Sequence, residues 1–235
     1  MKPVIFACAT AVFGLLASGT ACAESGPYVR LDTGWSWTRD ARLRDADPSS
    51  RICNLCTETL NEIGSSALLS GGVGYRVNDL LRLDATVTRR AGFKLSDDYP
   101  SSTPPIHYEA GVTSWTVLLN GYVDVPVTLG PVRPFVGAGI GWSRNKVGTL
   151  EASFPGFFGT AAGGTRNHLA WQVTAGASVA VTPALAVDLS YRFLDAGDIG
   201  TDPSIAVTNR GRPPITGSKG RLQSHDLLVG MRYAF

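Results

Sequence analysis

The stretch Leu81-Arg82-Leu83-Asp84-Ala85-Thr86-Val87-Thr88-Arg89-Arg90 decides how the rest of the sequence is read. Successive side chains of an extended strand point to opposite faces, so Leu81, Leu83, Ala85 and Val87 share one face and Arg82, Asp84, Thr86 and Thr88 the other. Such a strand belongs between an oily medium and a polar one. The last ten residues repeat the scheme, with Leu227, Val229, Met231, Tyr233 and Phe235 opposite Asp226, Leu228, Gly230, Arg232 and Ala234.

Six further segments alternate in the same way, less cleanly where glycine is frequent, over 28–37, 68–76, 114–124, 135–142, 169–179 and 185–193. Turn residues link them in pairs, at Asn78-Asp79, Pro126 and Thr182-Pro183. The connections after the first, third, fifth and seventh segments are longer, roughly twenty to thirty residues each, and polar. Eight strands put both chain ends on one side. The pattern predicts an all-β protein: an eight-stranded antiparallel up-and-down transmembrane β-barrel with short periplasmic turns and four long extracellular loops.

Composition points the same way. Of the 235 residues 44% are hydrophobic and 17% charged, against about 25% charged in soluble domains. The 27 glycines and 14 prolines suit short turns better than helices. The net charge of +2 leaves no electrostatic footprint for a nucleic-acid partner.

Residues 1–23 read as a cleaved secretory signal peptide: Lys2 is basic, 4–18 is apolar, and Ala21-Cys22-Ala23 is a small-x-small cleavage site. Lipidation at Cys22 would favour leucine where Gly19 stands. Residues 24–235 then form the barrel domain.

The same alternation would also suit a soluble barrel with its apolar face inward, but volume argues against that. Roughly forty apolar residues, tryptophans among them, would overfill an eight-stranded interior, whereas the Gly, Ser, Thr and Asp set fits there. Trp35, Trp37, Trp142, Tyr191, Phe193, Tyr233 and Phe235 fall near strand ends, where an interfacial girdle belongs. Lipid offers no partner for an open sheet edge, so the last strand is expected to pair with the first.

Three runs carry a family likeness: Gly26-Pro27-Tyr28-Val29-Arg30, the sequence from Arg133 to Gly141, and the terminal Met231-Arg232-Tyr233-Ala234-Phe235. They resemble the OmpA-like and opacity-protein group of small outer-membrane barrels. The resemblance implies a location in the cell outer membrane, with outer-membrane lipid and lipopolysaccharide as surroundings. It also implies that Tyr233 and Phe235 are read by the outer-membrane assembly machinery.

The inner faces carry Arg30, Asp32, Arg76, Arg82, Asp84, Asp124, Asp188, Arg192, Asp226 and Arg232, five of each sign. Balanced charge in so narrow a barrel reads as a plug of ion pairs, with a narrow conduit as the alternative. Cys53 and Cys56 read as a loop disulfide in an oxidising compartment, without the further ligands a zinc site wants. Ser224-His225-Asp226 lists triad residue types, yet neighbours on a strand face opposite ways and cannot converge. No cofactor or metal site is expected.

Cations in the first loop (Arg39, Arg42, Arg44, Arg51) and the fourth (Arg210, Arg212, Lys219, Arg221) suit lipopolysaccharide phosphates or an external surface partner, or are simply solvated. The leading functional expectation is a non-enzymatic surface protein supporting envelope integrity or adhesion-type contacts through its loops. A narrow pore and a lipid-modifying enzyme are the alternatives.

Overall fold

The computed structural model describes residues 25–38, 44–45, 64–99, 106–127, 131–154, 157–200 and 218–235; the proposed leader, Cys53 and Cys56 lie outside them. Regular structure among these residues is entirely β. Eight long strands form the wall: β1 (Gly26–Thr38), β3 (Ser65–Arg76), β4 (Leu81–Tyr99), β5 (Ile106–Asp124), β6 (Val132–Val147), β9 (Gly164–Ala180), β10 (Leu185–Gly200) and β11 (Ser218–Ala234). Three short strands lie above them: β2 (Arg44–Asp45) on β11, and the hairpin of β7 (Leu150–Phe154) and β8 (Phe157–Ala161) on β5.

Each long strand pairs antiparallel with the next, and β11 closes on β1 from Tyr28↔Ala234 to Thr38↔Ser224. The barrel has no open edge. At one end the turns are tight: the Asn78 side chain accepts the Leu80 and Leu81 N–H groups, and the Thr182 hydroxyl accepts that of Leu185.

The ladder fixes the barrel's dimensions. From Tyr28, successive pairs lead through Gly74, Asp84, Asn120, Gly139, Gln172, Leu194 and Ser224 back to β1 at Thr38. The circuit returns ten residues along β1 (38 − 28), a shear of ten over eight strands. With about 3.3 Å rise per residue and about 4.8 Å between strands, that means a tilt of about 41° and a backbone radius of about 8 Å. Each residue then climbs about 2.5 Å along the axis, and each step to the next strand about 3 Å.

These heights bring all five tryptophans into one ring. Trp35, Trp37, Trp115, Trp142 and Trp171, all outward and exposed, fall within about 5 Å of one level. Tyr75 and Tyr233 lie about 20 Å below, toward the turn end. Between the two rings the outside carries Leu31, Val73, Leu119, Ile140, Val173, Leu189 and Val229, each 47–67% exposed. An apolar band bounded by aromatic girdles, about 25 Å tall, is what a barrel shows to lipid.

The strands outrun the alternation read from sequence. β4 continues to Tyr99 and β5 starts at Ile106, so most of the expected second loop is ladder; β6 likewise runs to Val147 and β9 starts at Gly164. Above the tryptophan ring the two faces exchange character. Along β5, Thr116, Ser114 and then Val112 and Ala110 point inward, while Val117 and Trp115 and then Thr113, Gly111 and Glu109 point outward. The period of two persists, but oil and water have changed sides.

Two bulges accompany the exchange. The register shifts between Ala91 and Phe93, at Gly92 (φ 105°), and between Asp195 and Asp198, at Gly197 (φ 73°). One extra residue reverses the parity, which turns Phe93 and Ile199 inward.

Candidate functional site

The lumen is filled in four levels. Nearest the turns, Arg82 grips Asp124 through two nitrogens, with Nε and Nη2 at 2.8 and 2.6 Å from the carboxylate, and its guanidinium lies 5.1 Å from the Tyr122 ring and 5.0 Å from the Phe135 ring. Beside it Arg232 donates to Asp188 (3.1 Å) and Ser178 (2.8 Å). One level up, Asp84 accepts from Arg30 (3.0 Å), Tyr28 (3.1 Å) and Asn120 (2.7 Å). Arg30 also reaches Asp32 and the Tyr122 hydroxyl, and Gln172 donates to Asn120.

Level with the tryptophans, Asp226 is wholly buried between two buried cations. Arg90 Nη2 approaches at 2.7 Å and Arg192 Nε at 2.8 Å, and the Ser36 hydroxyl donates at 2.5 Å. Each carboxylate here is matched to guanidinium groups that could not be left buried without an anion. Glycines make the room. A Cβ at Gly139 would strike the Asn120 amide, at Gly230 the Asp32 carboxylate, and at Gly74 the Tyr28 ring.

Above this charge lies a fourth, apolar level: Phe93, Val112, Val147, Leu194, Ile199 and Leu222, each at most 3% exposed. Polar brackets hold its rim. Ser143 and Asn145 donate to the Ala196 carbonyl at 2.5 and 2.8 Å, and Ser114 donates to Asn145. Outside the bulge Asp195 accepts from Arg221 Nε (2.9 Å), Gln223 (2.9 Å) and the Gly197 N–H (3.0 Å).

Of the ten inner residues named from sequence, nine take part in this network. Arg76 sits half-buried at the turn end with no carboxylate partner among the described residues. Arg90 was missed, although its even number continues the set Arg82, Asp84, Thr86 and Thr88. The Arg89-Arg90 pair hid which of the two turns inward. Ser224 and Asp226 point into the lumen and His225 outward onto the Tyr191 hydroxyl, so the tripeptide assembles no catalytic triad. Tyr233 and Phe235 stack edge-on outside the turn end. Among the described residues no three metal-ligating side chains gather.

A family model for the outer membrane protein β-barrel domain matches residues 5–235. The chain belongs to that family. Its place is therefore the outer membrane. A protein of unknown role from Brucella suis biovar 1 (strain 1330) is 35% identical over 147 residues, 52% of this chain; the match spans about half (49%) of that relative's length. A Rickettsia rickettsii (strain Sheila Smith) relative, named as a candidate adhesin, is 24% identical over 242 residues, covering 99% of each chain. Among solved structures, Neisserial surface protein A superposes with a TM-score of 0.50 at 20% identity, covering 90% of this chain and 99% of its own. That last likeness speaks to the fold.

Proposed function

We propose that this outer-membrane barrel is a non-enzymatic surface protein, which supports the envelope and makes adhesion-type contacts with an external partner through its extracellular end. The filled lumen carries the reading. Three levels of paired charge topped by an apolar layer fill the interior, which supports a role carried on the outside. The adhesin name of the full-length rickettsial relative supports the same class. The buried, paired state of the lumen carboxylates and the divergence of Ser224, His225 and Asp226 speak against catalysis.

In this reading residues 1–23 are removed on export, Tyr233 and Phe235 are recognised during assembly, and Cys53 and Cys56 are bonded in the first loop. Deleting 41–60 and 203–215 together, with heat-modifiable gel mobility retained, is expected to abolish cell adhesion. Unchanged adhesion and unchanged detergent sensitivity of the cells would refute the loop role. Planar-bilayer recordings are expected to show no discrete conductance steps; regular steps would favour the pore instead.

A further inference from the structure

The change from oil to water on the barrel's outside is not the same all the way round. On β4, β5, β6 and β9 the paired row Val87–Val117–Trp142–Leu169 is wholly apolar. The next row up is Arg89–Trp115–Arg144–Asn167, and the one above it Ala91–Thr113–Lys146–Thr165. Arg89, Arg144 and Lys146 are all exposed. The Arg89 guanidinium lies over the Trp115 ring, 5.5 Å from its centre. By the barrel's geometry Arg89 stands level with the tryptophan ring, Arg144 about 6 Å above it and Lys146 about 5 Å higher again.

Arg89 and Arg144 flank one strand, so their backbones are about 10 Å apart, within reach of a shared anion for two side chains of that length. None of the three cations has a carboxylate partner among the described residues. The nearest exposed acids on this face, Glu109 and Glu151, pair with each other in the ladder two rows higher, and Glu109 is already 3.6 Å from Lys94. Across the barrel the rows at the tryptophan level hold Phe193, His225, Trp35 and Trp37, and the exposed cation above them, Arg221, is already held by Asp195 at 2.9 Å. At these heights the described cations without a carboxylate partner lie in this one quadrant.

Below that quadrant the lipid-facing wall is hollowed. Gly121 and Ala138 have too little side chain to fill the space between Leu83, Leu119, Ile140 and Val173, and an open trough of about 890 Å³ runs over them toward Trp171. Cations at the headgroup level above an apolar trough match an amphiphile whose polar end carries phosphate. We propose that this quadrant binds one phosphorylated glycolipid of the outer leaflet, with Arg89, Arg144 and Lys146 on its phosphate oxygens and an acyl chain in the trough over Gly121 and Ala138. A planar guanidinium held on an indole face is already oriented for bidentate contact with phosphate.

The test uses the full chain in phosphatidylcholine nanodiscs doped with bisphosphorylated lipid A, its dephosphorylated form, or phosphatidylglycerol, and native mass spectrometry to read the lipid retained. The Arg89→Gln/Arg144→Gln/Lys146→Gln variant is expected to keep heat-modifiable mobility and lose lipid A retention about tenfold to a hundredfold. Arg133→Gln, a cation at the turn end, should change nothing, and dephosphorylated lipid A should be held equally weakly by all forms. Gly121→Leu, which fills the trough and leaves the cations in place, should weaken lipid A retention severalfold.

Equal lipid A retention by the wild type and the triple variant overturns the proposal. So does an equal loss of phosphatidylglycerol, which would mean a patch for any anionic lipid. Competition by millimolar inorganic phosphate as strong as by lipid A would make it a free-phosphate site. Loss of heparin binding by the triple variant with lipid A unaffected would assign the patch to a sulfated polysaccharide.

Discussion

Below the tryptophan ring the barrel is inside out relative to a soluble protein; above it, the same strands are built the ordinary way round. In the lower part Val117 and Leu119 face lipid while Asn120 and Tyr122 face a lumen of paired charges. In the upper part Phe93, Val112 and Leu222 form a dry interior while Lys94, Glu109 and Arg221 face water. The backbone ladder crosses the boundary without a break. What changes is the solvent outside, and the side chains answer it by exchanging faces. One hydrogen-bonded scaffold thus supports two cores with different physics. The lower is held by charges that must stay matched, the upper by apolar contact.

The two cores should therefore fail differently. Asp226→Asn leaves Arg90 and Arg192 buried without their anion, and the expected cost is about 3–5 kcal/mol in urea unfolding from lipid vesicles. A cost near zero would mean that water reaches the lower lumen and that the charges are solvated rather than paired. Phe93→Ala removes the largest side chain of the upper core. About 3 kcal/mol of destabilisation is expected there, seen as faster amide exchange in β4 and β5 above Trp115 while the amides between the two aromatic rings remain protected.

Smaller effects probe the boundary. Gly197→Ala forces a Cβ onto a backbone with φ of 73° and against the His168 side chain, so about 1–3 kcal/mol is expected, again confined to the upper part of β10 and β11. Asp195→Asn should give the mildest change, a faster exchange of the β11 amides beside Arg221, whose carboxylate partner is removed. Unchanged exchange there would mean that this pair holds nothing in place.

The lower barrel was legible because lipid enforces a single rule on every strand. Leu81 to Thr88 obeys it without exception and Leu227 to Phe235 with Leu228 as the one apolar residue turned inward, and eight such segments specify closure and nearly all of the charged lumen. The upper barrel was hidden for two reasons. In β5 the apolar set moves from odd to even positions, so Ala110 and Val112 read as loop rather than as the other half of one strand. In β4 and β10 a bulge at glycine shifts the parity outright, and nothing in Ala91-Gly92-Phe93 distinguishes a bulge from a turn before the partner strand is known. Arg90 fell in this zone as well. That the tryptophans share one level could not be read either, since it depends on the shear of the closed sheet, which takes shape only when all eight registers are set.

Strand β5 passes through both regions without a bulge, so it offers the most direct test. Nitroxides placed one at a time from 109 to 123, in a chain with Cys53 and Cys56 replaced by serine and inserted in lipid bilayers, would be scored for relaxation by oxygen and by a water-soluble nickel chelate. Positions 117, 119, 121 and 123 should respond to oxygen, positions 109, 111 and 113 to nickel, and the even positions to neither, with the crossover at Trp115. Nickel access at the even positions, or oxygen access at 109–113 equal to that at 117–123, would contradict an exchange of faces at the tryptophan ring.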